Sequence, residues 1–177
     1  MLLLALIAGA LTVLPILPVE QQLSFAGRHM SHFASAAWQA FVVAASTEEF
    51  FKYTATVLLF FFSKQFNEKF DGIVYAVFVS LGFALVENIL YLVGKSSMQI
   101  GYMRAITAVP AHTLFGVSMG FYLGLAKFGK GSKALNLFLA LLVPIILHGI
   151  YDYLIFVARD WATWLFVGFL LFLWVLG

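Results

Sequence analysis

Seven ionisable side chains interrupt the apolar stretches of this sequence. Burying such a group in a bilayer costs on the order of 3 kcal/mol, so each one marks a candidate functional position. Glu48 with Lys52, and His148 with Asp152, are separated by four residues and would each share one face of a helix, where the first pair could form an ion pair. The full set is Glu48, Glu49, Lys52, Glu87, His112, His148 and Asp152.

These carboxylates and imidazoles have the side-chain chemistry needed to activate water. A glutamate can act as a general base, and a histidine can donate to an oxyanion or protonate a leaving amine. The same groups could instead bind Zn²⁺, which lowers the pKa of a bound water to about 7. The sequence contains no H-E-x-x-H motif, so metal-dependent and metal-free hydrolysis both stay open. The candidate zinc ligands are Glu48, Glu87, His112 and His148.

The composition places these residues in a lipid bilayer. Apolar residues make up 63% of the chain and charged residues 10%, with a mean hydropathy of +1.01. Soluble domains carry about 25% charged residues, so we predict an integral membrane protein. The net charge of +2 gives no reason to expect nucleic acid as a partner, and the absence of cysteine excludes thiolate chemistry.

The apolar residues fall into six segments of helix length, which predicts an all-α, polytopic transmembrane bundle. A bilayer is crossed by about 20 apolar residues in a helix, whereas a closed barrel needs short alternating segments. We expect a single integral membrane domain over 1–177, and one long helix over 31–62 because that stretch contains no Pro or Gly. The predicted spans are about 1–18, 34–62, 72–93, 102–126, 134–157 and 161–177.

Basic residues in the short loops predict the orientation of the bundle. One set of loops carries five lysines, and the positive-inside rule assigns that side and both chain termini to the cytoplasm. These lysines are Lys64, Lys69, Lys127, Lys130 and Lys133. The other side carries Arg28, Lys95 and Arg159, with Arg104 just inside the fourth span.

The predicted spans bring four ionisable groups to one depth. Counted from the cytoplasmic ends, Glu48, Glu87, His112 and His148 each lie roughly 21–24 Å into the membrane at about 1.5 Å per residue. That level is nearer the outer face of a hydrocarbon core about 30 Å thick. Scattered structural residues would have little reason to share a depth, so we interpret the layer as a site.

Four short motifs resemble those of the PrsW-type intramembrane proteases, which are related to the CAAX prenyl endopeptidase (ABI) superfamily. They are "EEFFK", "FALVE", "AHTLFG" and "HGIYD", in this order on successive apolar segments between about residues 40 and 155. The resemblance implies an intramembrane endopeptidase in a bacterial or archaeal cell membrane. Its substrate would be a single-span membrane protein, and the known bacterial role is the first cut of an anti-sigma factor on the outer side.

The resemblance also implies roles for the site residues. Glu48, with Glu49 beside it, would activate water, although the motif leaves open which of the two is the base. Lys52 would tune the pair, and Glu87 matches the third acid of the family. The two histidines, His112 and His148, would be ligands or oxyanion donors. Asp152 stands where the superfamily often has Asn, and an ionised Asp only accepts hydrogen bonds.

Two other classes of function could use the same residues. Chains of acids and histidines relay protons in carriers and channels, but the cytoplasmic halves of the predicted spans are almost wholly apolar. A non-catalytic scaffold could retain the set as structural polar contacts, and it should tolerate Glu48→Gln. The oligomeric state is open.

Overall fold

The computed structural model describes residues 1–95 and 97–176. Six helical segments follow one another in these ranges, connected by short loops. Their labels and bounds are α1 Leu2–Ala26, α2 over 32–61, α3 Lys69–Lys95, α4 Met98–Phe128, α5 Lys133–Phe156 and α6 Asp160–Leu176.

The predicted helical membrane bundle is confirmed. Among the described residues, α1, α3, α4 and α5 are each long and apolar enough to cross a membrane, and α6 is a shorter apolar helix. The sixth predicted span ends at Gly177, which lies outside the described residues. The protein is therefore an integral, multi-pass membrane protein.

Helix α1 extends well beyond the predicted end of the first span. The prediction stopped at residue 18, but Pro15 and Pro18 lie inside a helix that continues to Ala26. Proline removes one backbone donor, and helices in membranes tolerate it when neighbouring groups satisfy the freed carbonyls. The extension matters because it carries Glu20 into the bundle.

Helix α2 is continuous, as the absence of Pro and Gly predicts, but its winding changes along its length. Wider π-helical turns at Trp38–Ala45 and Val57–Phe61 flank the α-helical segment Ser46–Thr56. Directly after the first π segment, Ser46 Oγ donates back to the Phe41 carbonyl at 2.6 Å. π-Helical turns occur frequently at functional sites, and this one directly precedes the two adjacent glutamates.

Helix α3 packs closely on α1 through glycines. A Cβ atom on Gly82 would clash with the backbone of Leu6, and one on Gly9 would clash with the backbone of Val79. The two helices therefore approach backbone to backbone, as small residues allow in membrane helices.

The series Gly116, Gly120 and Gly124 packs α4 against the other face of α3. A Cβ on Gly120 would clash with Gly72, and one on Gly124 would meet the backbone of Lys69. Helix α5 then packs on the π-helical part of α2, and α6 packs on α4 and α5. The outcome is a bundle in which α2, α3, α4 and α5 surround a common interior.

Different side chains join the helices at the two ends of the bundle. At one end, Lys127 donates to the carbonyls of Phe61 at 2.6 Å and Ser63 at 3.3 Å, which joins the ends of α4 and α2. At the other end, His32 Nε2 lies 3.0 Å from the Val157 carbonyl and joins α2 to α5. The predicted site residues lie between these two ends.

Candidate active site

The structure brings all seven predicted site residues into one cluster. Helix α2 contributes Glu48, Glu49 and Lys52, α3 contributes Glu87, α4 contributes His112, and α5 contributes His148 and Asp152. The imidazole rings of His112 and His148 meet edge to face with centroids 5.1 Å apart. Convergence of four helices on this point agrees with the common depth predicted from the spans.

Glu49 ties α2 to α5 at the centre of the cluster. Its Oε1 accepts from Lys52 Nζ at 2.6 Å and lies 2.9 Å from His148 Nδ1. Glu49 and Lys52 are both completely buried. The sequence favoured Glu48 as the partner of Lys52, but Glu48 Oε2 lies 3.8 Å from Nζ and the shorter contact is made by Glu49.

His148 lies between carboxylates. While Nδ1 faces Glu49, Nε2 lies 3.2 Å from Asp152 Oδ2 and 3.8 Å from Glu48 Oε2. The ring stacks on Phe115 with centroids 4.9 Å apart. Asp152 therefore orients the imidazole, as the four-residue spacing predicts, and the Nε2 edge faces Glu48.

His112 has hydrogen-bond partners that determine its tautomer. Lys52 Nζ lies 3.3 Å from Nδ1, and an ammonium group can only donate, so Nδ1 accepts. Nε2 then carries the proton and donates to Glu87 Oε2 at 3.1 Å. His112 is thus a neutral imidazole that links the α2 lysine to the α3 acid.

Glu87 has a second, charged partner that the sequence did not assign. Arg104 Nη2 donates to Glu87 Oε2 at 2.7 Å, and Arg104 Nε donates to Asn88 Oδ1 at 2.9 Å. The guanidinium also lies over the Tyr91 ring, 3.8 Å from its centroid. Sequence reasoning counted Arg104 only for topology, although its position inside a span marked it as a functional candidate.

Glu48 differs from Glu49 in the surface that it faces. Only 5% of Glu48 is exposed, and its Oε2, like that of Glu49, has no hydrogen-bond partner among the described residues. Glu48 lines the main cavity, whereas Glu49 does not. A buried carboxylate oxygen needs a partner, so a water molecule or a cation bound at Oε2 would complete this site.

The cavity beside Glu48 has a volume of about 580 Å³, within the size range of small-molecule sites. Part of its wall is apolar, including Val13, Ile16 and Phe83. The acidic and basic residues that line it are Glu20, Glu48, Glu87, Arg104, His112, His148 and Asp152. Glu20 is the other residue that sequence reasoning missed, because the predicted first span ended before it.

Three of the four predicted zinc ligands form a group that could hold a metal ion. Glu48, His112 and His148 are all buried, and each offers one ligand atom within 4.8 Å of the others. One oxygen and two imidazole nitrogens form a donor set that Zn²⁺ prefers. Glu87 lies outside this group and accepts from His112 and Arg104, so its role as a ligand stays a prediction.

The chain is similar to proteins of one known family. The family model described as "PrsW family intramembrane metalloprotease" matches residues 1–176. A protein named Protease PrsW from Oceanobacillus iheyensis is 39% identical over 173 residues, which cover 97% of this chain and 77% of the relative. One of the same name from Clostridioides difficile is 39% identical over 140 residues, 76% of this chain and 59% of the relative.

A third relative, Protease PrsW from Geobacillus kaustophilus, is 40% identical over 166 residues, covering 94% of this chain and 71% of the relative. The matches thus span 59% to 77% of the lengths of these three relatives. No solved structure gives a significant match.

Proposed function

Because the chain belongs to the PrsW family of intramembrane metalloproteases, we propose that Glu48 activates the water that hydrolyses a substrate peptide bond in the central cavity. Membership of this family makes the chain an intramembrane protease that acts on membrane proteins in the bilayer. The roles of single residues are our proposal, and the contacts of Glu48 and Glu49 support them.

The observation that carries the proposal is that the two adjacent glutamates, Glu48 and Glu49, have different contacts. Glu49 Oε1 is engaged by both Lys52 and His148, and Glu49 does not line the cavity. Among the described residues, Oε2 of each glutamate is buried without a hydrogen-bond partner, but only Glu48 lines the cavity, where a water molecule can reach it. Glu48 is therefore the base, and Glu49 is a positioning residue for Lys52 and His148.

In the reaction, Glu48 Oε2 takes a proton from water as the water oxygen bonds to the scissile carbonyl carbon. Negative charge then develops on the carbonyl oxygen, and preorganised donors stabilise such an oxyanion. A proton on His148 Nε2 would be shared between Asp152 Oδ2, at 3.2 Å, and this oxygen, which forms beside Glu48 Oε2 at 3.8 Å from the same nitrogen. Protonated Glu48 finally gives its proton to the leaving nitrogen as the C–N bond breaks, which restores the carboxylate.

The metal named in the family description fits the residues present. Glu48, His112 and His148 would hold it, and bound zinc would supply a water of pKa about 7. Glu48 would then be a ligand, and its role as the base applies to the metal-free site. His112 is already a neutral imidazole, as a metal ligand must be, and the Nε2–H that it donates to Glu87 would orient the ring. Zinc content of the purified protein, compared with that of a His112→Ala variant, tests this part directly.

We propose a single-span, anti-sigma-factor-like membrane protein as the substrate, cut near the outer leaflet. The lysine-rich loops support this orientation, since they place both termini and the Lys127 end of the bundle in the cytoplasm. Glu48 is 13 residues from Phe61 at that end, or roughly 20 Å along the helix. The bacterial sources of the relatives favour a bacterial membrane.

The proposal is tested by co-expressing the chain with a panel of single-span membrane proteins. Wild type is compared with Glu48→Gln and His148→Ala at matched membrane levels. We expect a fragment that wild type produces and that both variants fail to produce. Cleavage that persists in both variants would contradict the assignment of the site to this cluster.

A further inference from the structure

Glu20 lines the catalytic cavity from a helix that supplies no other acidic residue to it. It projects from the part of α1 beyond Pro18 and is partly buried. Among the residues that the structure describes, it makes no hydrogen bond or ion pair. The proposed hydrolysis uses Glu48 and the histidines, and it leaves Glu20 without a role.

The other three carboxylates of the cavity already have basic partners. Glu87 pairs with Arg104 at 2.7 Å, and Asp152 pairs with His148 at 3.2 Å. Glu48 lies 3.8 Å from both Lys52 and His148. Among the described residues, Glu20 is therefore the one carboxylate of the cavity whose charge is not matched by a contact with a neighbouring side chain.

The surrounding charges make this arrangement costly without a cationic ligand. Glu20 lines the same cavity as the carboxylates Glu87 and Asp152, while Lys52 and His148 are bonded to Glu49. Charges in a membrane interior are normally paired. A positive group that enters the cavity would relieve this repulsion.

The polar groups beside Glu20 show that this part of the wall can receive a polar side chain. Gln21 and Ser24 also line the cavity, and Ser24 Oγ donates to Gln39 Oε1 at 2.9 Å, which joins α1 to α2. The amide of Gln21 and the hydroxyl of Ser24 would be enough to bind a neutral polar side chain of a substrate. The additional carboxylate favours a cation.

We propose that Glu20 is a specificity-determining residue, which binds a lysine or arginine side chain of the substrate close to the scissile bond. This inference rests on the proposed function, since it assigns a subsite in the same cavity. Glu20 would contact the substrate but take no part in proton transfer. Substrates with a basic residue at the matching position would bind more tightly than those with an acidic one.

The test uses the full chain reconstituted in lipid vesicles with a single-span protein that wild type cleaves. After the cut is mapped by mass spectrometry, each of the four residues on either side is replaced in turn by Lys and by Glu. The values of kcat/KM are measured for wild type, Glu20→Gln, Glu20→Lys and the control Glu68→Gln. Glu68 is an exposed acid in the loop before α3.

We expect wild type and Glu68→Gln to prefer Lys over Glu by about tenfold at one of these positions, mainly through KM. The ratio should fall to near one in Glu20→Gln and reverse in Glu20→Lys. A ratio that is unchanged in Glu20→Gln, or no charge preference in wild type at any position, would overturn the inference. So would loss of all cleavage in Glu20→Gln, because Glu20 would then be needed for catalysis or folding.

The same assay keeps the two proposals apart through Glu48→Gln. Cleavage that survives in Glu48→Gln would remove Glu48 as the base, whatever the charge preference. A preference that Glu20→Gln leaves intact, together with an inactive Glu48→Gln, would remove only the role of Glu20.

Discussion

At the scale of residues, the two glutamates of "EEFFK" have different roles in our proposal. Glu49 positions its neighbours, and Glu48 acts on water in the cavity. Adjacent residues on a helix point about 100° apart, so only one of them can face the cavity. The packing of α5 against the π-helical part of α2 sets that rotation, and Glu49 consequently faces Lys52 and His148. Glu48, in contrast, lines the cavity.

Lys52 is expected to be essential for stability, because it is the cation buried against both glutamates. Lys52→Met would leave a fully buried carboxylate without its 2.6 Å partner, and removing one member of a buried pair costs about 3 kcal/mol or more. We therefore predict a clearly lowered Tm in detergent. Lys64→Met, which changes an exposed loop residue, is the matched control.

An equal Tm for Lys52→Met and Lys64→Met would show that the buried ion pair is not what holds α2 in place. The account of Glu49 as a positioning residue would then lose its energetic basis.

At the scale of elements, close packing through glycine fixes the helices that hold the site. Helix α3 contacts both α1 and α4 backbone to backbone, and it carries Glu87 about one turn beyond Gly82. The position of Glu87 beneath His112 therefore depends on contacts that contain no ionisable group.

Gly82→Ala should destabilise the bundle, because the added methyl group would clash with the backbone of Leu6. Overpacking of this kind typically costs about 1–3 kcal/mol. Gly168→Ala is the control, since nothing lies within 4 Å of a Cβ at that position. Thermal unfolding should show a lowered Tm for Gly82→Ala alone, and similar values for both variants would contradict the close packing of α1 on α3.

The sequence predicted the helices and the residues that make up the site. It did not predict which of those residues contact one another. Apolar segments and helical spacing sufficed to predict the bundle and the convergence of seven ionisable residues. The partner of Lys52 was not predictable, because Glu48 and Glu49 both lie within reach of it along the helix. Glu20 was missed because the predicted first span stopped at residue 18, whereas the helix continues to Ala26.

At the scale of the whole molecule, the cluster is separated from one end of the bundle by an apolar core. Phe60, Phe61, Phe66, Met119 and Leu123 belong to a packed group at the Lys127 end. A carrier or channel needs a polar pathway along the bundle, so this packing favours a site that opens towards the opposite end. The family match likewise favours the protease over the carrier and the scaffold.

The orientation can be tested by cysteine labelling, because the chain contains no cysteine. Arg28 lies in the loop between α1 and α2, and Lys130 lies in the loop between α4 and α5. We predict that a membrane-impermeant maleimide labels Arg28→Cys in intact cells, and labels Lys130→Cys only after the cells are opened. The reverse pattern would place the lysine-rich loops outside and contradict the proposed topology.

The central claim is that Glu48 activates water whereas Glu49 positions its neighbours. The most direct measurement is the cleavage rate of a reconstituted single-span substrate by Glu48→Gln and Glu49→Gln, each with its Tm. We predict that Glu48→Gln keeps a Tm near that of wild type and loses cleavage at least 100-fold, as expected for a general base. Glu49→Gln should have a lowered Tm and residual cleavage. Efficient cleavage by Glu48→Gln, with an inactive Glu49→Gln of unchanged Tm, would contradict the account.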